Sequence, residues 1–296
     1  MYVWEKLKVE TQVRNTGLNE LLKGYSLEVM PRTAAKIGDF RQLFHQDTLI
    51  YIAHIEGTPI SEMLDTAKRL KSEGFATMPH ITARTIRNSD EFETILKMYR
   101  DDAGVDSALI LAGGAKEVYG DFDSSMALLK TGLLDKYGFK NLHFAGHPEG
   151  NTDIDKNGMT ENVDKALIFK KDYSNLTDAS VALATQFSFD GNAVINWVRR
   201  IGERGIDLPV YVGVAGPTKL QTLIRFSIAC GVGPSMKVLK KRARDISKLL
   251  VPHEPTEVLQ QLNDILTSHP NSQIKGIHFF PLGGIKATSK WIMENQ

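Results

Sequence analysis

A single cysteine, Cys230, stands in a chain of 296 residues. No intramolecular disulfide can form, which sets aside the small secreted scaffolds and fits a reducing cytoplasm. Net charge is nearly absent: 36 basic and 35 acidic side chains leave +1. That balance offers no electrostatic footprint for nucleic acid or an anionic membrane. The longest apolar runs reach less than half of the roughly 20 residues a membrane helix needs. The opening Met1-Tyr2-Val3-Trp4-Glu5-Lys6 lacks a secretory h-region, so a cytoplasmic protein is expected. No stretch is dominated by Ser, Pro or Gly, and no repeat with a period of about 20–50 residues interrupts the pattern. What is present, 42% hydrophobic and 24% charged residues, describes an ordinary globular chain with a sizeable core. Cys230, within Leu223-Ile-Arg-Phe-Ser-Ile-Ala-Cys230, reads as a buried, inert thiol. The composition leaves oligomeric state, including a homo-oligomer, open.

Eight short apolar runs punctuate the sequence: Ser26–Met30, Thr48–His54, Ala76–Thr82, Ser107–Gly114, Asn141–Pro148, Val181–Phe189, Pro209–Gly216 and Ile274–Gly284. Amphipathic stretches lie between them. Buried strands alternating with helices predict an α/β fold, a single-domain (β/α)8 barrel over residues 1–296. The length is slightly above the roughly 250 residues typical of one such barrel. Helix punctuation supports the alternation. Thr58-Pro59 supplies an N-cap and a first-turn proline, with Met63, Leu64, Ala67 and Leu70 on one face and Gly74 as the stop. Ser89-Asp90-Glu91 opens the next helix, and Gly216-Pro217-Thr218 opens one that runs through Leu220 and Leu223. Leu18–Lys23 reads as a leading helix capping the barrel bottom. An extra helical segment at about 235–268 divides into Ser235–Val251 and Thr256–Ser268, the first carrying a basic cluster (Lys237, Lys240, Lys241, Arg242, Arg244, Lys248) read as a solvated face.

Barrels of this kind keep their chemistry at the C-terminal ends of the strands. Those ends carry Glu28 and Arg32, His54 and Glu56, His80 and Thr82, Gly113-Gly114, His147 and Glu149, Gln186 and Asp190, Gly213, and Gly283-Gly284. No group has metal-ligand spacing, so no metal is expected; a metal hydrolase would need His54, His80 and His147 to converge. No serine or cysteine sits in a nucleophile elbow, and no strand carries a Schiff-base lysine. Neutral hydrogen-bonding groups, glycines and a few acids suit a large heterocyclic ligand with one or two proton-transfer residues. Glu28, inside Ser26-Leu-Glu-Val-Met-Pro-Arg32, stands where an unpaired carboxylate is costly. Either its pKa is raised, as suits a general acid, or it pairs with Arg32 or another barrel cation. Gln186, between aromatics, either pairs with the amide-like edge of a pterin, flavin or purine or bonds to neighbouring backbone. Asp190 is placed to cap the helix around Val194–Arg199.

At these residues the chain resembles the methylenetetrahydrofolate reductase family. Leu27-Glu28-Val29-Met30-Pro31-Arg32-Thr33 is similar to that family's first-strand Glu-Phe-Phe-Pro-Pro-Arg segment. Met78-Pro79-His80-Ile81-Thr82 resembles its Pro-His-Leu-Thr, and Ala145-Gly146-His147-Pro148-Glu149-Gly150 its Tyr-Pro-Glu-x-His. Thr185-Gln186-Phe187-Ser188-Phe189-Asp190 resembles its Thr-Gln-Phe-Phe-Phe-Asp, while Val212-Gly213-Val214 and Gly276-Ile277-His278-Phe279-Phe280 resemble its last two strands. The matches keep their order over nearly the whole chain.

The resemblance implies a flavoenzyme in which FAD relays hydride between NAD(P)H and the one-carbon unit of a tetrahydrofolate derivative. Glu28 would then be the acid that opens the ring of 5,10-methylenetetrahydrofolate. Gln186 and Leu220 would fall on the folate side. His54, His80, Ala112, Gly113, Gly114, His147, Glu149 and Asn151 would fall on the cofactor side. The departures lie mostly on that second side. Leu111-Ala112-Gly113-Gly114 replaces Leu-Arg-Gly-Asp, His147 replaces a tyrosine, Asn151 a histidine, and Leu282-Gly283-Gly284 lacks Asn-Arg. Leu220 stands where the family stacks an aromatic. Glycines 113, 114, 283 and 284 leave room for close backbone approach. Lys170 and Lys171 offer a replacement phosphate contact against a plain surface-helix reading. Two alternatives accompany the flavin-relayed reaction: direct hydride transfer from NAD(P)H without flavin, and a non-redox folate-binding or methyl-transfer barrel.

Overall fold

The computed structural model describes residues 18–156, 159–230, 252–269 and 272–296. The Ser235–Val251 segment with its basic cluster lies outside the described residues. Eight parallel strands close on themselves in sequence order: β1 (Ser26–Val29), β2 (Leu49–Ile52), β3 (Ala76–Thr82), β4 (Ser107–Leu111), β5 (Asn141–Gly146), β6 (Ser180–Phe187), β7 (Val210–Ala215) and β8 (Ile274–Phe280). The ring shuts where Ser26 of β1 stands opposite His278 of β8. This is the expected (β/α)8 barrel.

Between strands run α1 (Pro31–Ala34), α2 (Ile60–Ser72), α3 (Ser89–Lys97), α4 (Ser125–Leu129), α5 (Leu133–Lys136), α6 (Glu161–Ser174), α7 (Gly191–Glu203), α8 (Leu220–Ala229), α9 (Thr256–Ser268) and α10 (Ile285–Asn295). The apolar face read for α2 is buried: Met63, Leu64, Ala67 and Leu70. Asn88 caps α3 by accepting from the Glu91 N–H at 3.0 Å, and Asp190 caps α7 through the Asn192 and Ala193 N–H groups. Two starts differ from expectation. Pro59 is itself the N-cap of α2, and Thr58 belongs to the preceding turn, its N–H bonded to the Ile55 carbonyl. Thr218 pairs with His253 in an antiparallel bridge, so α8 begins later, at Leu220. Residues 18–21 are helical and bury Leu18 and Leu22 ahead of β1, as the leading helix predicted. No helix among the described residues is long and apolar enough to cross a membrane.

Strand alternation divides the core in two. Leu27, Ile50, Ile52, Ile110, Phe144, Leu183, Val212 and Phe279 face the helices in one large apolar shell. The other parity faces the barrel axis, where Tyr51, Met78, Leu109 and Ala184 form a small apolar cluster. Ser26, Glu28, His80, His143 and His278 share that inner surface, and the candidate chemistry sits there.

Candidate active site

Glu28 and Ser26 on β1, His80 on β3 and His278 on β8 share the inward parity, so the closed sheet brings them together. Glu28 Oε2 lies 3.3 Å from His80 Nε2 and 3.7 Å from His278 Nε2. The far side of His278 is fixed: its Nδ1 is 2.8 Å from the Ser26 hydroxyl. Behind this group, the Tyr51 hydroxyl is hydrogen-bonded to His143 Nδ1. The Tyr51 ring packs 4.3 Å from His278, and His143 stacks on Tyr211 at 5.0 Å.

The electrostatics correct one expectation. Burial pushes the Glu28 carboxyl up, but the His278 and His80 imidazoles facing Oε2 outweigh it and hold the pKa at about 2. Glu28 is therefore an ionised carboxylate at neutral pH, not an acid with a raised pKa. Of the two readings offered by its position, pairing with barrel side chains is the one realised. The partners are histidines, while Arg32 points to solvent. Burial depresses His278, with Glu28 opposing the shift, and drives His143 down to about 3, helped by His278. Burial raises the Tyr51 phenol well above its ordinary value.

The residues expected on the cofactor side are mostly taken up within the protein. His54 uses both ring nitrogens, Nδ1 with the Thr82 hydroxyl at 2.8 Å and Nε2 with the Thr58 carbonyl at 3.0 Å. The Ala112 carbonyl accepts from the Arg84 N–H at 3.0 Å. Gly113 has φ +94°, and a Cβ there would meet Thr82 Cβ at 3.0 Å; its glycine serves internal packing. Gly283 likewise packs against Pro217, whose carbonyl a Cβ would meet at 1.9 Å. Gly114 is exposed with open space around it. Asn151 Oδ1 accepts from the Asp153 N–H at 2.9 Å, closing its own turn. Glu149 accepts from the Ser188 hydroxyl at 3.1 Å. His147 is pushed down to about 3 by burial and by the neighbouring Lys170 charge.

Lys170 departs from the surface-helix reading. It is only 4% exposed, and its Nζ donates to the Ala145 carbonyl at 2.9 Å. Lys171 pairs with Asp207 at 2.6 Å. Cys230 also departs: it is exposed, because α8 buries Leu220, Leu223 and Ser227 and ends before the thiol. On the folate side, Gln186 is half-buried and its Oε1 accepts from the Phe187 N–H at 3.1 Å, the neighbouring-backbone bond of its second reading. Leu220 is buried in an apolar cluster with Phe187, Phe189, Ala215 and Leu223.

His54 and His80 line a cleft of about 630 Å³ between the ends of β2 and β3 and the helices α2 and α3, with Thr82, Thr85, Ile95 and Met98 among its walls. His54, His80 and His147 do not form a metal centre. Among the described residues no three His, Cys, Asp or Glu side chains are placed to hold an ion. Sequence reasoning missed Ser26, Tyr51, His143, Tyr211 and His278. Their signal was available in the parity of each strand: polar residues two apart from inward neighbours in otherwise apolar runs.

No family model matches the chain. Among solved structures it is similar to an uncharacterized protein from Clostridium thermocellum that binds two copies of 5-methyl-5,6,7,8-tetrahydrofolic acid. That match has 12% identity and a TM-score of 0.60, covering 95% of this chain and 97% of the other. It is also similar to the 3-dehydroquinate dehydratase of Aquifex aeolicus VF5, at 9% identity and a TM-score of 0.44, covering 92% and 96%. Yersinia pestis DHPS, solved with a pterine-sulfa conjugate, gives 11% identity and a TM-score of 0.45, covering 92% of each chain. At these identities the likeness to the first is one of fold, and the other two are too distant to bear on the argument.

Proposed function

We propose that this protein binds a tetrahydrofolate derivative at the mouth of its barrel and interconverts 5,10-methylenetetrahydrofolate and 5-methyltetrahydrofolate. The observation that carries the reading is the inward cluster of Glu28, His80 and His278, held at 3.3 and 3.7 Å around one carboxylate oxygen. It falls on the first-strand acid that the family resemblance assigns to ring opening. The tetrahydrofolate-binding barrel from Clostridium thermocellum supports the choice of ligand as a precedent on the same fold.

FAD does not fit the residues expected to hold it. His54, Ala112 and Asn151 have their polar atoms engaged inside the protein, and Gly113 fills its space against Thr82. Each charged anchor missing at Ala112 or Gly114 removes about 1–3 kcal/mol. No step is therefore routed through flavin, and NAD(P)H is taken as the direct hydride donor. In the reductive direction the bond from the bridging carbon to N10 breaks and N10 takes a proton. The remaining N5 iminium accepts hydride, and methyl-tetrahydrofolate and NAD(P)⁺ result. The cluster of carboxylate and imidazoles supplies the proton to N10.

A second reading, a folate-binding barrel without redox chemistry, is favoured by the same engaged residues, which leave little to hold any dinucleotide. Two measurements on one preparation separate them. Calorimetric titration with 5-methyltetrahydrofolate should show saturable binding, and NAD(P)H oxidation with 5,10-methylenetetrahydrofolate, without added flavin, should show turnover. Binding without turnover favours the second reading; absence of binding sinks both.

A further inference from the structure

His80 carries an unfinished bond. It is 9% exposed, its Nε2 is buried, and no donor or acceptor among the described residues completes a hydrogen bond to that atom. Glu28 Oε2 stands 3.3 Å from it, off the hydrogen-bonding line. An ionised carboxylate at that distance fixes the proton-bearing nitrogen of an imidazole, because an N–H facing it is attractive and a lone pair is not. Among the described residues no hydrogen bond reaches the second nitrogen, Nδ1, and the ring lines the cleft beside β2 and β3. His54, the other histidine on that cleft, has both nitrogens engaged and is depressed by burial. A carboxylate beside one nitrogen of an imidazole that lines a cleft resembles the arrangement by which hydrolytic triads aim their histidine.

We propose that His80 is the catalytic proton carrier, with Nε2–H directed at Glu28 and Nδ1 exchanging the proton with N10 of the bound folate, and that Glu28 and His278 are positioning residues. This rests on the folate reading above. In the reductive direction the ring, holding a solvent proton on Nδ1 beside its Nε2–H, gives that Nδ1 proton to the N10 electron pair as the N10–carbon bond breaks, and hydride from NAD(P)H completes the methyl group. His80 then regains its proton from water. In the oxidative direction each transfer reverses. His278 keeps the carboxylate aimed, since its own Nδ1 is held by Ser26 at 2.8 Å. The groups facing His80 are Glu28 from β1, Tyr51 from β2 (ring centroids 6.4 Å apart), His54 from the loop after β2, and His278 from β8.

The test combines kinetics with nitrogen-15 spectroscopy of the imidazoles. His80→Ala should lower kcat by about 100-fold or more, the usual range for a lost general acid, with KM for the folate changed by less than about threefold. Imidazole added to that variant should restore at least about tenfold of the loss, a rescue that a purely structural histidine does not permit. In the free wild-type protein, the His80 ring should carry its proton on Nε2, and saturating 5-methyltetrahydrofolate should move the Nδ1 resonance. A His80→Ala variant within about threefold of wild-type kcat would overturn the assignment, as would a free ring protonated on Nδ1 alone. Should the wild type oxidise no NAD(P)H, the folate reductase reading fails. The ring's protonation in the free protein then still decides whether Glu28 directs His80.

Discussion

Replacing Lys170 should make the protein more stable at neutral pH. The side chain is 4% exposed, donates to the Ala145 carbonyl at 2.9 Å and has no carboxylate within ion-pairing distance among the described residues. Burial alone pulls its pKa from 10.5 to about 8. A lysine with a lowered folded pKa binds its proton less tightly in the native state, so stability rises with pH between those two values. At about 1.4 kcal/mol per pH unit, the charged ammonium costs the native state about 3 kcal/mol at pH 7. By pH 9.5 the native amine is largely neutral and the cost falls to about 1.5 kcal/mol. Lys170→Met keeps the length of the side chain and abolishes the charge, at the loss of one hydrogen bond worth about 1 kcal/mol. The expected gain is therefore about 2 kcal/mol at pH 7 and about 0.5 kcal/mol at pH 9.5. Urea unfolding of both proteins at the two pH values measures it, and groups common to both cancel in the difference. His147, already held at about 3, does not titrate in that window. A variant less stable at pH 7, or a difference independent of pH, would refute the reasoning.

Four further outcomes follow from the same structure. Glu28→Gln should cut turnover by about 100-fold or more while leaving 5-methyltetrahydrofolate binding within several-fold, read by calorimetry beside steady-state kinetics. Gly213→Ala should destabilise by about 1–3 kcal/mol, because its Cβ would stand 2.4 Å from the Thr185 carbonyl oxygen, a backbone atom with no freedom to yield; an unchanged denaturation midpoint contradicts this. Asp164, bonded to Arg200 at 2.8 Å and to Arg204, has a pKa lowered from 3.8: burial raises it, but Arg200, Thr160 and Arg204 prevail. Its contribution is present above 3.8 and lost as pH falls through the lower folded value, so Asp164→Asn should remove that part of the acid sensitivity, measured by unfolding at pH 5 and pH 3. Purified protein should be colourless and should release added FAD on gel filtration; a retained flavin spectrum would show that other residues hold it.

The strands were legible because the physics that places them is local. Apolar runs of four to eight residues ending in glycine or polar groups mark buried parallel strands, and Ala76–Thr82 was read with the bounds the structure has. Helix faces were legible for the same reason. Helix starts were less so. Thr58 falls in the turn closed by Ile55, one residue before the N-cap, and Thr218 pairs with His253 from a distant segment. Cys230 and Lys170 depart from the sequence pattern in opposite directions, the thiol exposed and the lysine buried. Each depends on where a helix ends or how it rolls on the sheet, which a few residues of periodicity do not fix.

Glu28 could be found from sequence because an acid within an apolar strand must be neutralised, paired or protonated. Which of these applies was hidden, since its partners arrive from β3 and from β8 at the other end of the chain. Closing the ring at the Ser26–His278 pairing is what places the second imidazole beside the carboxylate. Strand parity then explains why the same event completes the rest of the interior. Ser26 and Glu28 face inward together, as do Tyr51 and His143 opposite them, so one register sets the bond of Ser26 to His278 and that of Tyr51 to His143. A one-residue slip of β1 would send both polar side chains into the apolar shell and leave His80 and His278 without the carboxylate they face. The polar interior thus specifies the register of the barrel, and the register in turn holds the carboxylate between its histidines.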